Sequence, residues 1–141
     1  ITEPLLTAVP STATPAVASA PESPYQKWRV EQALSAFRDA GLDVGDTWKM
    51  QKDDYGLAPM TAAEAQRFLI PSLCEDCGGR AYSFATPEDL ELMEAYYTEM
   101  GRASAIFFSW LFVRDNILVQ ISGDLPDAQA QQYEAALLGM H

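Results

Sequence analysis

Cys74 and Cys77 bracket Glu75-Asp76 and are the only two cysteines of the chain. A C-x-x-C pair can exchange thiols for a disulfide, but its first sulfur must sit at a helix N-terminus, where the dipole favours the thiolate. Here Gly78-Gly79 and an alternating segment follow, and Glu75 and Asp76 oppose thiolate formation by like charge. Structural zinc needs two further ligands, whereas the single histidine is His141 at the extreme end, so no metal is expected. Haem attachment would want a histidine where Gly78 stands. In an oxidising compartment the expected state is a local disulfide between Cys74 and Cys77. Thiol-disulfide redox chemistry by the same pair is the alternative.

Carboxylates recur in neighbouring pairs at Asp53-Asp54, Glu75-Asp76 and Glu88-Asp89. Paired carboxylates can do acid/base or glycosidase work, yet 20 Asp+Glu produce such neighbours by chance. Glu88-Asp89 already has a helix-start role. The segment Asp53-Asp54-Tyr55-Gly56 is the better candidate binding loop, because it joins acid, aromatic and glycine in a stretch that reads as neither strand nor helix. The competing reading is a solvated turn with Tyr55 packed inward. An acid-dependent hydrolase around Asp53 and Asp54 ranks third among the functions. EF-hand spacing, G-x-S-x-G, a P-loop and G-x-G-x-x-G are all missing from the sequence, so no cofactor is expected and catalysis is not indicated.

With 9 Lys+Arg against 20 Asp+Glu, the 141-residue chain carries a formal charge of −11. Nucleic acid is thereby disfavoured as a partner, since a phosphate backbone calls for clustered cations, and these nine are scattered singly. They form no polybasic patch for an anionic lipid surface either. At 48% apolar residues the chain can build a core, but it has no apolar run long enough to span a bilayer.

The elements that must position these groups follow from periodicity and punctuation. Ser23, Pro24 and Gln26 read as a helix start, continued by Val30, Ala33, Leu34 and Phe37 and stopped at Gly41. Leu42, Val44 and Trp48 suggest a strand, and Lys52 to Pro59 a loop. Thr61 and Glu64 form a second capping box, which predicts a short helix, with Phe68, Leu69 and Ile70 before Pro71 as its buried exit or a short strand. Arg80 to Phe84 alternates as a strand entered by a Gly78-Gly79 turn. Thr86-Pro87 then opens a helix with Leu90, Met93, Tyr97 and Met100 along one stripe. The last helix starts at Asp124 to Asp127 and carries Ala130, Tyr133, Leu137 and Met140.

Between those two helices, Ser104 to Ser122 reads as a hairpin in which Ile106, Phe108, Trp110 and Phe112 point one way and Asp115-Asn116 make the turn. Phe112 then faces Val119, and Trp110 faces Ile121. The opposite side carries Phe107, Leu111, Val113 and Leu118, so both sides are apolar. A helix is expected to cover that second side in part, and a symmetric homodimer through the same patch is the alternative. The fold class that results is α+β, with an antiparallel or mixed sheet packed against about three helices in residues 25 to 141.

Residues 1 to 24 hold five of the nine prolines among Ala, Ser and Thr, the composition of a disordered tether. A chain starting with Ile1 further suggests that an upstream piece has been removed. Gly79 to Phe84, Thr86-Pro87-Glu88-Asp89 and above all Val113 to Leu138 resemble small exported bacterial lipoprotein-type domains of unknown function. The likeness covers roughly the last third of the chain and is architectural. It implies a surface location, with any membrane contact made through an anchor upstream of residue 1, and says nothing about a reaction.

These features together suggest a non-catalytic, exported, surface-tethered domain that binds a protein or a small ligand. For protein taken from its natural compartment, alkylation before reduction should leave Cys74 and Cys77 unmodified, and alkylation after reduction should label both. Two thiols labelled without reduction would reject the disulfide.

Overall fold

The computed structural model describes residues 24–141. The proposed tether, apart from Pro24, and the Ser23 cap lie outside them. Among the described residues the chain forms helix α1 (Val30–Asp39), strand β1 (Thr47–Lys49), the one-turn helix α2 (Lys52–Tyr55) and strands β2 (Glu64–Leu69) and β3 (Gly78–Ser83). Helix α3 (Pro87–Ala103), a 3-10 turn at Ala105–Phe107, strands β4 (Ser109–Arg114) and β5 (Ile117–Ser122) and helix α4 (Asp127–Leu138) complete it. All five strands pair antiparallel in the order β1-β2-β3-β5-β4, which makes the fold α+β.

Asp115 takes a φ of 52° and, with Asn116, forms the two-residue turn between β4 and β5. Phe112 pairs with Val119 and Trp110 with Ile121, as the spacing requires. Every residue of β5 from Ile117 to Ile121 is buried, so both sides of the sheet are covered at its centre. On one side Phe68, Ala81, Phe112, Ile117, Val119 and Ile121 pack against Val30, Leu34 and Phe37 of α1 and Ala130, Tyr133 and Leu137 of α4. Phe37 meets Tyr133 edge-on at 5.2 Å, and the Tyr133 hydroxyl donates to the Asp43 carbonyl at 2.7 Å. On the other side Ala65, Tyr82 and Leu118 pack under Leu90, Met93 and Tyr97 of α3. Leu111 is half-buried against this second cluster, while Phe107 and Val113 stay exposed.

Side chains of the β4–β5 turn hold the two ends of the described chain. Asn116, fully buried, accepts from the Trp28 backbone N–H at 2.9 Å and donates to the Trp28 carbonyl at 2.8 Å. The Asp115 carboxylate accepts from the Trp28 indole N–H at 2.8 Å, and this hydrogen bond is the main cause holding its pKa below the usual value. Arg114 donates to the carbonyls of Leu137, Leu138 and Met140, which supplies partners for the open C-terminal end of α4.

Several expected elements differ from those observed. The first helix begins at Val30, because Trp28 is tied down in extended form by Asn116, while the Arg29 N–H donates to the Gln32 side chain in the first turn. Thr61 and Glu64 do not open a helix. Glu64 starts β2, and its carboxylate accepts from the Val30 N–H at 3.1 Å, the Ser83 hydroxyl at 3.0 Å and Arg29 at 2.8 Å, so it caps α1 instead. The Thr61 hydroxyl donates to the Asp89 carbonyl. Leu42 and Val44 are core-packed loop residues, and the strand starts later, at Thr47. Lys52 to Pro59 contains α2 rather than loop alone, since the Asp54 carboxylate accepts from the Gln51 N–H at 2.7 Å and closes one turn.

Gly78-Gly79 belong to β3 and not to a turn. A Cβ on Gly79 would strike the Gln120 carbonyl and the Phe68 ring, so glycine allows the strands to close over that ring. Ile106 lies in the 3-10 turn, where the Ser104 hydroxyl accepts from its N–H, and Phe108 follows that turn, so the hairpin strand starts only at Ser109.

Asn116→Ala removes the partner of the Trp28 N–H and that of its carbonyl, both in buried hydrogen bonds. The expected cost is about 2–3 kcal/mol in urea unfolding, and a change under about 0.5 kcal/mol would contradict the clasp. Leu111→Glu places a charge against the α3 cluster and should destabilise by about 2–4 kcal/mol without changing sedimentation. A folded L111E variant that turns a wild-type dimer into monomers would instead put Leu111 at an interface between copies.

Candidate functional site

The register of the sheet lines up side chains in transverse rows. One row on the α3 side is Ala65, Tyr82 and Leu118, apolar apart from a hydroxyl and roofed by α3. The next row runs Trp48, Arg67, Arg80, Gln120 and Leu111 across all five strands. Its three central members are polar, although their strands alternate with core positions on the opposite side. Gln120 is buried, whereas Arg67 and Arg80 are half-buried, and a groove of about 760 Å³ opens beside them.

Arg67, Arg80, Gln120 and Ser109 form the floor of this groove. Tyr96, Tyr97 and Met100 of α3 make one wall, and Asp53, Asp54, Tyr55 and Gly56 make the other. Ile106, Phe107 and Phe108 form an apolar lip, with Ile106 86% exposed. Asp76-Cys77-Gly78 and Ser122-Gly123-Asp124 close the end. Phe108 is braced edge-on against Trp110 at 5.0 Å, and the Trp110 indole N–H donates to the Leu125 carbonyl.

Polar contacts organise the floor. Arg80 donates to Gln120 Oε1 at 3.0 Å and to the Asp54 carbonyl at 3.3 Å, and Gln120 in turn donates to the Ser109 hydroxyl at 2.8 Å. The Arg67 guanidinium lies over the Trp48 ring at 5.4 Å, and its buried Nε has no hydrogen-bond partner among the described residues. Burial, then the facing charge of Arg80, pull the Arg67 pKa below its ordinary value. Beneath the roof, the Tyr82 and Tyr97 hydroxyls share a hydrogen bond of 2.8 Å. Burial pushes both up, and it raises Tyr55 as well, so these phenols stay protonated at neutral pH.

Of the residues singled out from sequence, Asp53, Asp54, Tyr55, Phe107 and Cys77 all line this groove. Leu118 lies under α3, and Leu111 and Val113 are outside the groove lining. Cys74 and Cys77 are joined in a disulfide with their Cα atoms 5.1 Å apart, in the β2–β3 connection. β3 follows the second cysteine, so among the described elements the pair does not open a helix. Among the described residues no group of His, Cys, Asp and Glu is placed to hold a metal ion. Sequence reasoning passed over Arg67, Arg80 and Gln120. The available signal was Arg80, which in R-A-Y-S-F shares its strand face with the buried Tyr82 and Phe84.

The chain matches no protein-family model, no curated protein and no solved structure. What the arrangement can do must therefore be argued from its own chemistry. The Cys77 sulfur is held in the disulfide, and burial keeps the Tyr55 and Tyr97 phenols protonated near neutrality. A half-roofed cleft of this volume with few convergent polar groups has the form of a ligand site.

Proposed function

We propose that the protein is a non-catalytic binding domain, exported and held at a membrane or cell surface through its N-terminal segment, and that the groove beside α3 is where it binds. The observation that carries this reading is the incomplete roof. α3 seals one row of the sheet and leaves the two arginines of the next half-exposed along a groove with an apolar lip. The disulfide between Cys74 and Cys77 is compatible with an extracellular location, and no helix among the described residues is long and apolar enough to cross a membrane. The Pro, Ala, Ser and Thr composition of residues 1 to 24 supports a spacer, and the resemblance to lipoprotein-type domains points the same way.

A second reading, thiol-disulfide exchange, rests on the position of Cys77 at the groove. It requires a disulfide easily reduced; a reduction potential below about −300 mV would mark the bond as structural.

The binding reading is tested with Nile red, an uncharged apolar dye. Its fluorescence should rise on the protein, and Phe107→Ser, at an exposed position, should weaken binding about fivefold without lowering stability. Equal binding by the variant would remove the groove from consideration. Surface location is checked separately: protease added to intact cells of the natural host should digest the protein.

A further inference from the structure

Electrostatic partners are distributed unevenly over the arginines. Arg29, Arg38, Arg102 and Arg114 each reach a carboxylate at 2.8 to 3.6 Å. Arg67 and Arg80 reach none within ion-pair distance among the described residues, although the chain has 20 carboxylate side chains for 9 cations. These two are also directly opposite each other on adjacent strands, a like-charge pairing that destabilises a sheet. The nearby Asp54 carboxylate closes the α2 turn and only partly offsets the Arg67 charge, from beyond ion-pair distance, while its carbonyl meets Arg80.

A half-buried guanidinium with an unpartnered Nε, beside a second guanidinium held in place by Gln120, is an arrangement that costs folding energy in the free protein. An anion placed between them would accept from the guanidinium groups and offset the repulsion. The Asp53, Asp54, Asp76 and Asp124 carboxylates along the groove would repel an occupant whose charge is spread along its length, so the negative charge must be confined to one end. Beyond that end the occupant meets Tyr96, Met100, Ile106, Phe107 and Phe108, which form an apolar lining.

Building on the groove as the binding site, we propose that its occupant is a small amphiphilic anion: one carboxylate or phosphate head between Arg67 and Arg80, and an apolar body along the Ile106–Phe108 lip. Arg67 is the residue that distinguishes this occupant from a neutral one. Its guanidinium makes no hydrogen bond or ion pair among the described residues, only the contact with the Trp48 ring, whereas Arg80 is already engaged with Gln120 and Asp54. The pair is therefore kept at the expense of the stability of the free fold, which gives the inference a signature separate from binding.

Calorimetry on the full chain with dodecanoate, dodecyl phosphate, dodecyltrimethylammonium and inorganic phosphate, all below micelle concentrations, tests it. Dodecanoate or dodecyl phosphate should bind at least about tenfold more tightly than the cationic amphiphile, and Arg67→Gln should abolish that preference. The stronger of the two anions identifies the head group. The Arg67 side-chain Nε–H resonance should shift on titration with it. Without ligand, Arg67→Gln should melt at the same temperature as the wild type or higher, because it removes a like charge and an unpartnered donor. A lower melting temperature would show that Arg67 is structural and overturn the inference, as would equal binding of the two anions by R67Q and wild type. Inorganic phosphate binding as tightly as dodecyl phosphate would overturn the amphiphile assignment. Nile red bound through Phe107 with no preference among charged amphiphiles would overturn the anion alone. Failure of Nile red and every amphiphile to bind would instead remove the groove reading itself.

Discussion

The two-sided burial of β5 is the constraint from which the rest of the architecture follows. A strand that places Ile117, Val119 and Ile121 on one side and Leu118 on the other cannot end a two-layer sandwich, because each exposed side would leave an apolar patch in water. Fully burying each such side chain contributes roughly 1.5–3 kcal/mol, so leaving either side open would take away much of a small fold's net stability. The chain answers with α1 and α4 on one side and α3 on the other. Those helices have unequal capacity: two cover the centre of the first side, whereas one cannot roof five strands. The groove is what remains of the second side, and its polar floor is the sequence's accommodation to that shortfall.

The same hairpin also orders the ends of the chain. Its turn residues have side chains that reach Trp28 before α1, and Arg114 reaches the last carbonyls of α4. These contacts span 87 or 88 positions to Trp28 and more than 20 to α4. The α1/α4 layer is therefore tied at both ends to the strand pair it covers. Glu64 plays a parallel part from β2, joining the α1 start to Ser83 of β3. Polar side chains of the sheet thus position the helices, while apolar side chains provide the driving force.

Charge has different roles in different regions of the molecule. Near the α1 start and the β4–β5 turn, arginines and carboxylates are paired, and Asp115 is held ionised by the Trp28 indole and nearby cations. On the groove floor two cations face each other in a chain that is otherwise strongly acidic. A local rule broken in the middle of a sheet, where every neighbour obeys it, is the kind of inconsistency that accompanies function. For that reason the floor matters more to the functional reading than the acidic pairs that dominate the sequence.

The α+β class, the register of the hairpin, the Thr86 cap, the stripes of α3 and α4, and the disulfide were all legible in the sequence, because each depends on residues close together in the chain. Local spacing alone fixes which residues share a helix face, and a two-residue turn fixes which residues pair across a hairpin. The element at Glu64 was misread because its local signal, a capping box, is real chemistry directed at a different helix: the same carboxylate caps α1, 34 residues away. Asp53, Asp54, Tyr55 and Phe107 could be named individually, yet nothing in the sequence says that they share one cleft. Arg67 and Arg80 become neighbours only through the pairing of β2 with β3, and among the described residues no carboxylate comes within ion-pair distance of either. Sheet register and helix reach are properties of the whole fold, so the side chains that define the site were decided by tertiary structure.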